Sequence, residues 1–554
     1  MQRLRLAAIS LGVATVALLA GELLWRALDL STHDERSHIE FVSASLAQLE
    51  PCARLVRQRG ATWIHGDARP YRLPFSLPLD RSDEPGAIRI AVVGESTGAQ
   101  LAFGAQDLAA RLPELAAFEV LNCAVPGTSL EHVETATHEV LEYRPNVLVV
   151  VFGHNFAIQH PGDSARLRML ALRGHSRMLT GLAARLVPGR GSDLVTMEPI
   201  EARLARLEAW LDALAAETRR RDVSLVLVRP ASNLWMPPPA DDRTRMQPAL
   251  LEARYELARG ETDAALRRLE QALLSEPTAH GHFTAGTWTA RAGSHAAAER
   301  HLRLALDGQQ TDTDRATSAV AAILEAAARE HEIPMLDLEE AAATAADGGL
   351  PDWTVMMDNC HVQGRLLDRE SAGLFALAQA ATGVAEAERV TIELPPTPSF
   401  HRFGSVLEGL TYAQSTRAGA SARRNSDAIE LAIEQWLALD RPAVDAAVAS
   451  YLEGVNFTAA TDPDRRSHLL MAIAAGYWHG GARATALDMN RRARETGTAE
   501  PWVQLGLFRV AAGELGPASD AFERASEISP QRPDAALFVA RARASREDGA
   551  DGRR

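Results

Sequence analysis

Ser96 stands in Gly94-Glu95-Ser96-Thr97-Gly98, where an apolar run stops and a helical stretch begins. At such a junction a hydroxyl projects from the carboxyl end of a sheet, where ligands bind in open α/β folds. Far along the chain, Asp358 and His361 stand three apart in Asp358-Asn359-Cys360-His361. A serine nucleophile, an imidazole base and a carboxylate to orient that base are the parts of covalent acyl transfer. Two further residues supply donors for an oxyanion. Asn155, in Gly153-His154-Asn155, carries a neutral amide that donates at any pH, and Gly127 ends Asn122-Cys123-Ala124-Val125-Pro126-Gly127 with a backbone N–H. Each residue alone has a plainer reading, as a helix cap, a surface pair or a strand-end turn.

The elements around these residues give them an order. Ile88-Arg89-Ile90-Ala91-Val92-Val93 reads as a buried strand ending at Gly94, and Phe118-Glu119-Val120-Leu121-Asn122 as a second. Asn146 to Phe152, Val223 to Val228 and Ile333 to Leu338 read as three more. Helical stretches at about 98–116, 129–142 and 200–220 separate them, which implies a parallel sheet with both faces covered. Residues from about 30 to 85 read as a polar, proline-punctuated lead-in with a short helix. The interval between the fourth and fifth strands is too long for one crossover and has its own period. Ala265, Leu269, Ala272 and Pro277, then Gly286, Gly293, Ala298, Leu302 and Ala305, match the small-residue core of tetratricopeptide (TPR) helical pairs. Trp502, Leu505, Gly506, Gly513, Ala518, Phe522, Ala525 and Pro530 give a fuller copy near the end of the chain.

The serine, glycine, asparagine and Asp-x-x-His motifs, in that order and each at a strand end, resemble the SGNH (GDSL-type) hydrolases. The resemblance implies a three-layer, flavodoxin-like α/β fold with a parallel sheet and a Ser96–His361–Asp358 triad. It further implies an oxyanion hole formed by the Ser96 and Gly127 amides and the Asn155 side chain. Two positions depart from the family pattern: Ala124 replaces a glycine of the second motif, and Glu95 stands where the best-known members have aspartate. Gly94 to Gly98 also fits the G-x-S-x-G elbow of α/β-hydrolases. That elbow normally follows several strands, and its acid and histidine are well separated, unlike Asp358 and His361. The expected organisation is an N-terminal membrane helix (1–27), the lead-in (28–85), and a hydrolase-like domain (86–389) interrupted by TPR-like repeats at 247–310. A linker (390–425), C-terminal TPR-like repeats (426–545) and a disordered tail (546–554) follow.

Composition narrows the function. The 554-residue chain holds no lysine, which removes the Walker-A loop, Schiff-base chemistry and any Ser-Lys dyad. A net charge of −14 argues against nucleic acid as a partner. Cys52, Cys123 and Cys360 form neither a zinc pattern nor a disulfide framework, so no metal or other cofactor is expected. Cys123 and Cys360 flank catalytic motifs and are read as unlinked thiols. Arg3 and Arg5 precede an apolar run from Leu6 to about Trp25, close to the roughly 20 residues of a spanning helix. Its charge flanks place the bulk of the chain outside the cytoplasmic membrane, with a removed signal peptide as the alternative. Between Asp163 and Asp193 six arginines stand without an acid, a stretch suited to an amphipathic cover helix or to an anionic polymer or headgroup. The expected activity is hydrolysis of an ester, such as an O-acylated polysaccharide, with a protein partner on the repeats. An O-acyltransferase with the same triad and an inactive repeat scaffold are the alternatives.

Overall fold

The computed structural model describes residues 52–67, 72–156, 198–238, 243–308, 315–346, 348–384, 421–453 and 463–551. The expected membrane helix, the arginine-rich stretch after Asp163 and most of the linker lie outside these residues. No helix among the described residues is long and apolar enough to cross a membrane.

The described part of the lead-in holds a short 3-10 helix, Leu79–Asp83, and three antiparallel strands that the sequence reading lacks, β1 (Arg54–Gln58), β2 (Ala61–Gly66) and β3 (Phe75–Pro78), in the order β1-β2-β3. Gln58 pairs with Ala61, and the two linking residues both have positive φ, 49° at Arg59 and 87° at Gly60. That is the two-residue hairpin turn whose twist suits the flanking strands.

The chain is α/β, built on a parallel five-stranded sheet of β4 (Ile88–Gly94), β5 (Phe118–Asn122), β6 (Val147–Val151), β7 (Ser224–Arg229) and β8 (Met335–Asp337). The strand order is β5-β4-β6-β7-β8. Counted from β4 this is 2-1-3-4-5, one of the two common doubly wound orders, and it reverses direction between β4 and β6. Every residue of β4, β5 and β6 is buried, which is why these strands are almost continuously apolar. The two charged exceptions neutralise each other. Arg89 bonds Glu119 at 2.7 Å and donates to the carbonyls of Leu79 and Tyr143.

Helix Ser96–Arg111 packs on β4, β5 and β6, and helix Leu130–Val140 on β4. The first ends sooner than its apolar pattern suggests because Pro113 forces Leu112 into an extended conformation, φ −116° and ψ 107°. Likewise β8 is shorter than the run Ile333 to Leu338. Asp337 ends the strand and caps helix Leu338–Ala345, its carboxylate accepting from the Glu340 N–H at 2.8 Å.

The chain forms two compact units, one drawn from Met1–Leu227, Ala327–Pro334 and Ala378–Glu386, the other from Val228–Ala326, Met335–Leu377 and Ala387–Arg554. In the second, helices Arg243–Ala258 and Thr262–Ser275 pair, as do Ala279–Arg291 and His295–Asp307. Ser421–Leu439, Pro463–His479, Arg483–Arg494, Glu500–Ala511, Leu515–Ile528 and Pro533–Asp551 then pack each on the next. Glycines set the closest approaches: a Cβ on Gly286 would lie 2.7 Å from the Leu302 side chain. The early and late helices share their cores. Leu251 and Tyr255 bury against Val503, Phe522 and Phe538, and Arg291 bridges Glu430 and Glu434 at 3.0 and 2.5 Å. The last helix runs on to Asp551, into the tail expected to be disordered; no proline interrupts it, although Asp548, Gly549 and Asp551 are weak helix formers.

Phe522 is fully buried opposite Gly506. Phe522→Ala should therefore cost about 3–5 kcal/mol in urea unfolding followed by circular dichroism. A loss below about 1 kcal/mol would show that this ring does not hold the shared core.

Candidate active site

In the first unit the carboxyl ends of β4, β5 and β6 carry the loops that hold Ser96, Gly127 and Asn155. Gly94 has φ 144°, and a Cβ there would fall 1.9 Å from the Val151 carbonyl oxygen, so only glycine fits. The chain then turns, the Glu95 N–H donating to Val151 O at 3.2 Å, and Ser96 opens its helix, partly buried. Helix N-termini leave amides unsatisfied and carry partial positive charge, which favours an anion beside Ser96.

Glu95 is completely buried, and its carboxylate binds the end of β4 to the end of β6. Oε1 accepts from the His154 N–H and Oε2 from the Asn155 N–H, both at 2.8 Å. The His154 ring adds to this, with Nδ1 3.0 Å from Glu95 Oε1 and 2.9 Å from Thr97 Oγ1. The loop after β5 is tied to the same place, since the Val125 N–H donates to Gly94 O at 2.9 Å. Gly127 follows in a left-handed turn, φ 72°. Asn155 is only 7% exposed, yet its Nδ2 donates to no group among the described residues. A buried donor left unmatched costs about 1–3 kcal/mol. Chemically it is suited to receive a negatively charged oxygen.

In the second unit the Asp358–His361 pair is made. His361 Nδ1 donates to Asp358 Oδ2 at 2.7 Å, which leaves Nε2 as the basic ring nitrogen. Asp358 Oδ1 accepts from the Cys360 and His361 N–H groups at 2.8 and 2.7 Å. Burial alone would raise the Asp358 pKa. The His361 imidazole and these two amides outweigh it and hold the carboxyl below the usual aspartate value. The loop is closed by the Met357 N–H on His361 O at 2.8 Å, and Asn233 Nδ2 donates to Asp358 O at 3.0 Å. Arg315 in turn donates to the carbonyls of Asn233 and Met236, at 2.9 and 2.8 Å. Cys52, Cys123 and Cys360 are buried and form no disulfide.

Ser96, Gly127 and Asn155 thus share one end of one unit, and Asp358 bonds His361 in the other. Sequence reasoning notes Glu95 only as a departure from the family pattern and misses Thr97, Asn233 and Arg315 altogether. The available signal is an acid next to glycine at the end of an apolar strand, a place where burial demands partners. No protein-family model and no curated protein matches the chain.

Two measurements check this geometry. Glu95→Gln sets an amide NH₂ against one of the two backbone donors, and should lower unfolding free energy by about 1–3 kcal/mol. Unchanged stability would mean that the clamp is not made. Because the folded pKa of Asp358 is depressed, its contribution is present above the ordinary carboxylate pKa of about 3.9 and disappears as pH falls through the lower folded value. Urea midpoints taken from about pH 6 downward should therefore fall more steeply below about pH 4 in the wild type than in Asp358→Asn. Parallel curves would remove the stabilising role.

Proposed function

We propose that the chain is a serine esterase of the SGNH type, with a flavodoxin-like catalytic domain and TPR-like helical pairs that bind a protein partner. The buried Asn155 amide carries the reading. It is a donor unmatched among the described residues, and the carboxylate of the residue preceding Ser96 fixes its backbone. The Asp358–His361 hydrogen bond also supports it, because it leaves Nε2 to act as a base.

In this mechanism His361 Nε2 takes the Ser96 proton as Oγ attacks the ester carbonyl. Asp358 holds the ring in the required tautomer and stabilises the imidazolium that forms. The developing oxyanion is met by the Asn155 amide and the Ser96 and Gly127 N–H groups. His361 then returns the proton to the leaving alcohol, and water releases the acyl group from Ser96. We further propose that the apolar N-terminal run anchors the protein, with the bulk outside the cytoplasmic membrane. This makes a carbohydrate O-acyl ester the favoured substrate class.

Fluorophosphonate labelling of the full-length chain in detergent tests the activity. The wild type should label and Ser96→Ala should not. A folded wild type that does not label would sink the esterase reading. With a labelling enzyme, acetate release from an acetylated polysaccharide should proceed without a sugar acceptor; release only when one is added would make it an acyltransferase.

A further inference from the structure

The loop that holds Asp358 and His361 also carries a buried thiol that acyl transfer does not use. Cys360 Sγ lies 3.5 Å from His361 Nδ1, and Asp358 Oδ2 lies 2.7 Å from that same nitrogen. The three donor atoms all fall within 4.8 Å of one another, the only such group of three or more potential ligands among the described residues. One sulfur, one nitrogen and one oxygen form a donor set for zinc-class ions; magnesium and calcium prefer oxygen alone.

The spacing fits. With Zn–S of about 2.3 Å and Zn–N of about 2.0–2.1 Å, a tetrahedral angle puts sulfur and nitrogen about 3.5 Å apart. That is the separation found here. Nitrogen and oxygen on such an ion stand about 3.3 Å apart. The hydrogen-bonded pair therefore opens by about half an ångström when a metal replaces the shared proton. The loop is also braced for this exchange. Asp358 Oδ1 is occupied by two backbone amides, so Oδ2 is the oxygen turned toward Nδ1. Charge agrees as well: a carboxylate and a thiolate neutralise a divalent cation, and burial makes that match necessary.

We propose that Asp358, Cys360 and His361 form a three-donor site for a zinc-class divalent cation, and that filling it switches off the His361 base. On binding, the Cys360 thiol loses its proton to solvent and its sulfur joins the metal. The Nδ1 lone pair becomes a metal ligand, and the proton formerly on Nδ1 ends on Nε2 by exchange with water. No group changes oxidation state, and one proton is released overall. Nε2 is then an N–H donor and cannot accept the Ser96 proton, while water fills the open fourth position on the metal. The inhibitory consequence rests on the esterase reading; the metal site itself does not.

Cobalt(II) reports the site without any activity. Added to the reduced full-length chain, it should give a near-ultraviolet thiolate-to-cobalt charge-transfer band together with the visible bands of tetrahedral cobalt, and zinc should abolish both. In Cys360→Ser the charge-transfer band should be lost, and in Cys52→Ala it should remain. A wild type with no such band, or a band that survives in Cys360→Ser, overturns the site. Should Cys360→Ser fail to fold by circular dichroism, Cys360→Ala replaces it, and the wild-type band and its displacement by zinc are read in any case. If the chain labels with fluorophosphonate, equimolar zinc should suppress labelling in the wild type, a chelator should restore it, and Cys360→Ser should label with zinc present. Labelling that zinc leaves untouched overturns the switch. A chain that never labels removes the esterase reading, while the cobalt band still decides the metal site.

Discussion

The Glu95 carboxylate sits out of water between two strand ends, and both its oxygens are held by backbone N–H groups of the next loop but one. An uncompensated buried carboxylate costs several kcal/mol, so these two bonds are a condition of folding at this end of the sheet. They fix the turn after β4 to the turn after β6, the point at which the strand order reverses. Ser96 and Asn155 occupy the adjoining positions, so the constraint that closes the sheet end also sets the serine and the amide. Gly94 is required by the same geometry, since any side chain there would strike the Val151 carbonyl.

The loop of Asp358 and His361 is held differently, by residues gathered from distant parts of the second unit. Asn233 and Arg315 brace Asp358 from one direction. Trp353 braces the loop from another: its N–H donates to Gln435, and its carbonyl accepts from Gln363 and from the Trp436 indole. Trp353 also packs with Phe283, Leu302 and Leu431. The helices read from sequence as a repeat insertion and as C-terminal repeats therefore line one core with the segment that carries His361. These long-range contacts hold the loop of His361 from several sides, as the proposed role of that ring requires.

Much of this is legible in the order of the amino acids. The central strands stand out because burial on both faces leaves them almost wholly apolar. Ser96, Gly127 and Asn155 are recognisable as residues at strand ends, and Asp358 with His361 as a pair whose short spacing lets one orient the other. The β1–β2 hairpin is less visible, since its turn is Arg59-Gly60 rather than an asparagine–glycine pair and its strands are largely exposed. Pro113 and Asp337 each move an element boundary through local chemistry that an apolar pattern does not register. Glu95 is conspicuous in the sequence, but its role is not. Its spacing in the chain says nothing about two amides some sixty residues away.

The sequence by itself determined the α/β character, the residues at the strand ends and the small residues that let helices pair, because these depend on local periodicity and on the size and polarity of single side chains. Only the tertiary structure decided that Glu95 is a clamp, that Asn155 buries a donor unmatched among the described residues and that the early and late helices share a core. Those are properties of groups brought together from far apart, whereas the place of Cys360 beside the Asp358–His361 bond comes from the folding of one short loop. Burial, with its demand that every polar group find a partner, acts only once the chain has folded.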